Sequence, residues 1–525
     1  MKSNINQFIR RDIAQMESYI SGTSAEDLAN AYKQDIKQLV KLNANENPYG
    51  MSPVAQKALQ QLFANYYPCS DYPILRQSLA TYTKTKMENI IVGSGSDEII
   101  DLVLRVVLEA EDKIIICPPT FGMYEISTKL NKGTIVFVDR SEDYSLNISE
   151  ILKKSNDEKL KIVFITNPNS PTGNLTPKED IVKILKTGKL VVVDEAYYEF
   201  SKTTSTPLLN KYENLIIIRT FSKWAGLAGL RIGYAIAQKS FVDQILKIKP
   251  PFNVNIAAEK AAIATLGDIS FAKTSIQKII TERERLYNEL KLVKDIQVYR
   301  GYGNFLLIQI KKGDYELLKK SFEKNKIALR YYPKLNNGIR VTIGKPEQNN
   351  KVLTVLKNFF NKKKYAFLDR DGTLIFEPLD TFQIDSVEKL KILDGAIKGL
   401  KELIKLGYEL IMVTNQDGLG TTSFPKDDFE TVQNKFLTIL RDNGVNFEKI
   451  FICPHLPSKN CGCRKPKTGL VKKFLRENQM DKVNSFVCGD RPTDKVFAKD
   501  IEIKFVPMQT NGDFYEAIEK GGIGL

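Results

Sequence analysis

Short apolar runs rich in β-branched residues recur along the chain, separated by amphipathic stretches: Lys161 to Ile165, Leu190 to Val193 and Leu215 to Ile218. That alternation, sustained from about Ile36 to Phe360, predicts a mostly parallel α/β sheet. A short basic segment, Asn361 to Lys364, interrupts it. A fresh strand then opens at Tyr365 to Leu368, and the strand-helix rhythm resumes through Glu409 to Thr414 and Ser485 to Cys488. The pattern predicts one domain over residues 1–360, a linker at 361–364 and a second domain over 365–525. No internal repeat or low-complexity tract stands out.

At 525 residues and 42% hydrophobic content the chain is too long for one ordinary core. The first residues lack the apolar centre of a signal peptide, and no uncharged apolar run of about 18 residues occurs, so a soluble cytoplasmic protein without membrane contact is the expectation. The formal charge of +15 comes from lysines interspersed with glutamates. They form no arginine-aromatic stripe, which argues against nucleic acid and leaves a mild attraction for phosphorylated small molecules. Six cysteines are too few for a disulfide scaffold, and three of them, Cys453, Cys461 and Cys463, crowd around the single histidine, His455. That spacing points to metal.

In the first domain, Lys223 follows Ser222 in a turn after a predicted strand, where a polar, phosphate-lined pocket can activate its amine for carbonyl chemistry. Alone, such a lysine is ordinary. Its neighbours change the reading: Arg231, eight residues on, can clamp a phosphate, Thr220 and Ser222 supply hydroxyls, and the turn Gly93 to Glu98, with Ser96 and Asp97, can open a helix whose free amides bind the same group. The turn also imitates a dinucleotide fingerprint, but its third glycine is missing. Asp194 ends an apolar strand where its carboxylate can pair with a protonated pyridine nitrogen, and Tyr197 is placed to bond a ring hydroxyl.

Asn167 to Gly173 (Asn-Pro-Asn-Ser-Pro-Thr-Gly), Asp194, Tyr197, Lys223 and Arg231, in this order, resemble a fold-type-I aminotransferase with a large cofactor domain and a small domain. Leu42 to Pro48, Tyr67-Pro68, Pro118 to Tyr124 and Ile339 to Gly344 narrow the resemblance to the histidinol-phosphate aminotransferase family. The resemblance implies that Lys223 holds pyridoxal 5'-phosphate and shuttles the proton. It also implies that Phe121 stacks on the ring, Asn169 contacts the ring hydroxyl and Arg340 grips the carboxylate of glutamate. Tyr67 would reach the cofactor phosphate of a neighbouring subunit, which implies a homodimer. Two positions depart from the family pattern: Ser170 stands where asparagine often precedes Pro-Thr-Gly, and Phe121 where tyrosine is frequent.

In the second domain, Asp369 and Asp371 flank Arg370 at a strand end, and Gly372 allows a sharp turn that brings both carboxylates to one pocket. Such a pair can divide the labour of phosphoryl transfer: one attacks phosphorus beside a magnesium ion, while the other, held protonated, serves the leaving alcohol and then water. Val413 to Gln416, Arg464 to Pro466 and Gly489 to Asp494 follow in order. Together these blocks resemble the haloacid-dehalogenase phosphatase superfamily, a Rossmann-like fold. The resemblance implies Asp369 as nucleophile and Asp371 as acid/base, with Thr414 and Asn415 holding phosphoryl oxygens. Lys465 would offset charge, and Mg2+ would be held by Asp369, Asp371 through its carbonyl and Asp490, with Asp494 in support. Cys453, His455, Cys461 and Cys463 form a ligand set suited to a closed, structural Zn2+ site.

Within that superfamily the zinc loop is similar to those of histidinol-phosphate and heptose-bisphosphate phosphatases, and Thr414 to Thr421 with Ser423 to Pro425 resemble the histidinol type. Asp417 reads either as a lure for a cationic amino alcohol or as a solvated loop residue. The two resemblances meet on one metabolite. They imply transamination between glutamate and imidazole acetol phosphate, followed by hydrolysis of histidinol phosphate, in histidine biosynthesis. The alternative is another pyridoxal-phosphate aminotransferase fused to a sugar-phosphate phosphatase.

Overall fold

The structure, a computed structural model, describes residues 4–17, 22–360, 362–478 and 480–524. The chain divides into two compact units, 1–357 and 358–525. The expected linker lies between a helix ending at Phe360 and a strand beginning at Lys364. Lys364 therefore belongs to the strand, and Asn361 lies outside the described residues.

A seven-stranded sheet forms the centre of the first unit, in the order Ile90–Gly93, Gly233–Ile236, Leu215–Thr220, Leu190–Asp194, Leu160–Thr166, Lys113–Ile116, Thr134–Phe137. The Gly233–Ile236 strand runs antiparallel to both of its neighbours, and the remaining pairs are parallel. The apolar runs noted in the sequence are the middle strands. They lack polar alternation because both sheet faces are covered, and Leu215–Thr220 is buried along its whole length. The parallel strands end together, placing Thr166, Asp194 and Thr220 on one edge, where α/β sheets bind ligands. A four-stranded antiparallel sheet, ordered Arg330–Tyr332, Gly338–Thr342, Phe305–Ile310, Ile296–Tyr299, makes a smaller layer. The 21-residue helix Ser270–Leu290 leads into it.

Near the same strand ends, Arg219 and Glu195 are both buried and paired at 2.8 Å. Arg219 also donates to the hydroxyls of Thr204 and Thr206, and its guanidinium lies 3.7 Å from the centre of the Tyr198 ring. Removing one partner strands a charge in a dry interior, a loss of about 3–5 kcal/mol. Glu195→Ala should therefore destabilise the first unit by that amount in denaturant unfolding, and more than the double change Glu195→Ala, Arg219→Met.

The second unit holds a five-stranded parallel sheet in the order Lys449–Cys453, Tyr408–Asn415, Lys364–Leu368, Phe486–Gly489, Lys504–Pro507. Its central strand shows the period of two that a doubly covered sheet requires: Ala366 and Leu368 enter one core with Leu400, Phe436 and Phe514, while Tyr365 and Phe367 enter the other with Val471 and Phe497. This is a three-layer, Rossmann-like arrangement, and Asp369 is the first residue beyond its central strand. Among the described residues no helix is long and apolar enough to cross a membrane.

Candidate functional site

Over the strand edge of the first unit lies a cavity of about 580 Å³, lined by Ser96, Asp97, Phe121, Asp194, Tyr197, Thr220, Ser222, Lys223, Arg231 and Arg340 among others. Lys223 Nζ donates to Ala44 O at 3.0 Å. Burial, assisted by the Arg340 charge, pulls its amine down to about 8. Asp194 Oδ1 accepts from Ala196 N at 3.0 Å, and its Oδ2 accepts from the Tyr124 hydroxyl at 2.7 Å. Burial nevertheless raises its carboxyl to about 6, so a cation placed against it would be held firmly. Tyr124 also stacks on Phe164 at 4.6 Å and meets Phe121 edge-on at 5.6 Å. Its role was not foreseen, although it ends a quoted motif.

At one end of the cavity Arg231 Nη2 pairs with Asp97 Oδ2 at 2.7 Å, beside the first turn of helix Gly95–Val107. Gly95 has φ +81°, and a Cβ there would stand 2.5 Å from Arg231 Nη2, so only glycine lets the guanidinium lie against the turn. Ser222 N donates to Thr220 Oγ1 at 3.1 Å. The bend after Lys223 has a similar constraint: Gly226, at φ +71°, packs where a Cβ would be 2.2 Å from Gly50 O, fixing the lysine turn against the segment that carries Ala44.

At the other end Arg340 donates from Nη1 to Ser170 Oγ at 3.1 Å and from Nη2 to Asn43 O at 2.9 Å. Arg330 sits directly opposite it on the adjacent antiparallel strand and lines the same cavity. Two like charges in register repel, and an anionic ligand relieves that repulsion. Arg330 went unnoticed in the sequence because only strand pairing puts it beside Arg340.

Two expected cofactor residues are not at this cavity. Asn169 is buried behind the cavity wall: its Nδ2 donates to Pro119 O at 2.9 Å and to Thr172 Oγ1 at 2.6 Å, and its Oδ1 accepts at 3.0 Å from Oγ1 of Thr120, which lines the cavity. With both ends of the amide engaged by Pro119, Thr120 and Thr172, it is Ser170 that lines the cavity. Tyr67 is 80% exposed, stacked on Phe252 at 4.5 Å, and does not line its own chain's cavity.

In the second unit Lys465 bridges two carboxylates, at 2.9 Å from Asp369 Oδ1 and 2.7 Å from Asp494 Oδ1. Burial alone would lower its amine, but the two anions outweigh burial and hold it above the ordinary range. Asp490 accepts from Thr510 Oγ1 at 2.7 Å, and one oxygen each of Asp369, Asp490 and Asp494 lie within 4.8 Å of one another. Asp371 turns the other way. Its carboxylate accepts from Arg370 Nη1 at 3.0 Å and from Gln416 Nε2 at 2.6 Å, and burial raises its carboxyl despite the arginine.

Thr414 is buried and accepts from Gln416 Nε2 at 2.8 Å. Asn415 has a structural task as well: its Oδ1 accepts from Lys465 N at 3.0 Å and its Nδ2 donates to Lys465 O at 3.3 Å. Its side chain thus clamps the lysine's peptide with its oxygen and one N–H, and the second N–H of the amide keeps its capacity to donate. Asp417 is likewise committed, to a two-pronged pair with Arg464, whose Nη1 also reaches His455 O. The four residues Cys453, His455, Cys461 and Cys463 converge, with Sγ–Sγ distances of 3.3–3.7 Å and His455 Nδ1 at 3.2 Å from Cys463 Sγ.

Residues 37–356, more than half of the chain, match the family model for aminotransferase class I and II, and the chain belongs to that family. Residues 364–511 match the model described as polynucleotide kinase 3 phosphatase, so a phosphatase domain of haloacid-dehalogenase type follows the aminotransferase domain. Among curated relatives, a histidinol-phosphate aminotransferase of Dehalococcoides mccartyi is 40% identical over 360 residues, covering 68% of this chain and 99% of the relative. The chloroplastic histidinol-phosphate aminotransferase 1 of Arabidopsis thaliana is also 40% identical, covering 68% and 86%. The crystal structure of the histidinol-phosphate aminotransferase from Clostridium acetobutylicum superposes with a TM-score of 0.57 at 30% identity, covering 62% of this chain and 99% of that one.

Proposed function

We propose that the chain catalyses two consecutive reactions: transamination between glutamate and imidazole acetol phosphate to give histidinol phosphate, and its hydrolysis to histidinol and phosphate. The observation that carries the reading is the meeting of Lys223, Asp194, Tyr197, Arg231 and Arg340 on one cavity, in a chain that also holds Asp369, Asp371 and Lys465 at the end of a second sheet. The curated relatives of the first unit bear the name of the same substrate.

The cavity suits pyridoxal phosphate on its own chemistry. It offers a buried amine, a buried carboxylate able to face a protonated ring nitrogen, and an arginine beside a helix start for a phosphate. When bound, the cofactor supplies an electron sink that stabilises negative charge on the substrate's α-carbon. Lys223 holds the cofactor and moves the proton. Asp194 keeps the ring nitrogen protonated, Tyr197 bonds the ring oxygen and Phe121 covers the ring face. Ser96, Asp97, Thr220, Ser222 and Arg231 hold the phosphate end, and Arg340 grips the carboxylate of glutamate. Tyr67, exposed on its own chain, reaches the phosphate of a second subunit, which makes the active form a homodimer.

In the phosphatase, Asp369 attacks phosphorus and takes the phosphoryl group as Asp371 protonates the leaving alcohol. Asp371, now ionised, takes a proton from the water that cleaves the phosphoryl-aspartate to free phosphate, and Lys465 balances the charge that builds on phosphoryl oxygens held near Thr414. Asp369, Asp490 and the Asp371 carbonyl would hold Mg2+, whose charge offsets an acidic cluster that Lys465 alone leaves in surplus. The thiolates of Cys453, Cys461 and Cys463 with His455 form a closed soft-donor set that fits Zn2+. A site filled by four protein ligands has no open position, so its role is to fix the loop that carries Lys465. A strong zinc chelator should remove about one zinc per chain and abolish phosphate release, while transamination stays unchanged; loss of both activities would contradict this division.

The deciding experiment supplies imidazole acetol phosphate with or without glutamate. Histidinol and free phosphate are expected only when glutamate is present. Faster phosphate release from heptose bisphosphate or a 3'-phosphorylated oligonucleotide than from histidinol phosphate would overturn the second half of the reading.

A further inference from the structure

Donor and acceptor capacities, together with burial, assign the direction of one hydrogen-bond chain. The Asn45 backbone N–H donates to Thr342 Oγ1 at 2.9 Å. Thr342 is only 2% exposed, so its hydroxyl proton needs a protein acceptor, and it donates to Asn45 Oδ1 at 3.0 Å. The other arm of the Asn45 amide is then Nδ2, which only donates, and it stands 2.9 Å from the Tyr197 hydroxyl. Tyr197 Oη is thus an acceptor toward Asn45, and its proton must go elsewhere. Among the described residues no protein acceptor takes it, and Tyr197 lines the cavity.

Asn45 is itself held on every side. It is 1% exposed, its carbonyl accepts from Asn304 Nδ2 at 2.8 Å, and its backbone is left-handed with φ 55°, a conformation asparagine tolerates better than most residues. The carbonyl just before it, on Ala44, is the one that receives Lys223 Nζ. The strand carrying Thr342 also carries Arg340, which donates to Asn43 O.

We infer that Asn45 is a positioning residue that fixes the Tyr197 hydroxyl as a hydrogen-bond donor into the cavity, toward the ring oxygen of pyridoxal phosphate. This rests on the cofactor reading proposed above. The orientation is imposed from the strand that carries Arg340, so the groups gripping the substrate carboxylate and the cofactor ring share one support.

The test uses the full chain and pyridoxal phosphate itself, with Asn45→Gly and Asn45→Asp made in both the Tyr197 and Tyr197→Phe backgrounds. Glycine keeps the left-handed backbone but removes the amide. Aspartate keeps the shape but replaces the donor with an acceptor, which draws the Tyr197 proton away from the cavity. With Tyr197 present, N45G should weaken cofactor binding about tenfold and N45D more than that. In the Tyr197→Phe background N45G should change binding less than about twofold. The visible absorbance change of the bound cofactor should also move to higher pH in N45G, because a ring oxygen without its donor is more basic. Equal losses in both backgrounds, or binding by N45D as tight as by N45G, would overturn the inference while leaving the cofactor reading intact. Failure of the unaltered chain to retain pyridoxal phosphate would sink the cofactor reading itself.

Discussion

Replacing Lys223 with alanine should abolish retention of pyridoxal phosphate and cut transamination by roughly 10⁴-fold, the upper range for losing a positioned proton-transfer group, while hydrolysis of added histidinol phosphate continues at the unaltered rate. The amine occupies a position no neighbour can fill. Ala44 O offers it only an acceptor, and the other cavity cations, Arg231, Arg330 and Arg340, are guanidiniums that do not deprotonate near neutrality. Binding assays and coupled turnover check both halves. A residual rate within tenfold of the starting chain would show that another group moves the proton.

The same burial that makes this lysine reactive makes it a liability without cofactor. Its folded value, about 8, lies below its ordinary 10.5, so folding must discharge it or bear the cost of enclosing a cation. The penalty is fully present below pH 8 and fades as pH rises through the interval to 10.5, where the unfolded chain binds more protons than the folded one. At neutral pH it amounts to roughly 3 kcal/mol. Cofactor-free Lys223→Met should accordingly unfold at higher denaturant than the cofactor-free parent at pH 7, with the difference vanishing near pH 10. Cofactor uptake by the parent should accelerate with a midpoint near pH 8, because only the neutral amine attacks a carbonyl.

Residues legible in the sequence were those whose partners are local or whose chemistry is rare. Asp194 and Thr220 end apolar runs, and strand ends on one edge of a parallel sheet meet by construction. The zinc-type residues fall within eleven positions of one another, so a single loop must gather them. What stayed hidden was made by distant pairing. Arg330 faces Arg340 only because two antiparallel strands register there, and Asn45 reaches Thr342 across 297 positions. The exchange of Asn169 for Ser170 at the cavity has a different origin, since a one-residue difference within an irregular loop reverses which side chain points inward, and no periodicity records it. Asn415 has a second task the sequence did not show: its side chain brackets the Lys465 peptide fifty positions away.

Replacing Asp369 with asparagine should remove phosphatase turnover on the order of 10⁵-fold, as expected for a nucleophile on which every later step depends, and leave transamination unaltered, so that histidinol phosphate accumulates. The neighbouring groups explain why no substitute exists. Asp494 is held by Lys465 and by its own cap contact to Arg491 N, Asp490 is held by Thr510, and Asp371 points toward Arg370 and Gln416. Asp369 is the one carboxylate at the strand end with an oxygen bonded both to Lys465 and to a backbone amide, Arg370 N at 2.8 Å. The substitution should not cost stability. Three carboxylates that can approach within 4.8 Å repel one another, and asparagine relieves that repulsion while Asp494 keeps its bond to Lys465. In magnesium-free buffer the variant's second unit should therefore unfold at equal or higher denaturant, and added magnesium should stabilise it less than it stabilises the parent. A variant that lost activity together with several kcal/mol of stability would instead place Asp369 among the supports of the fold, and the attack on phosphorus would have to be assigned to another group.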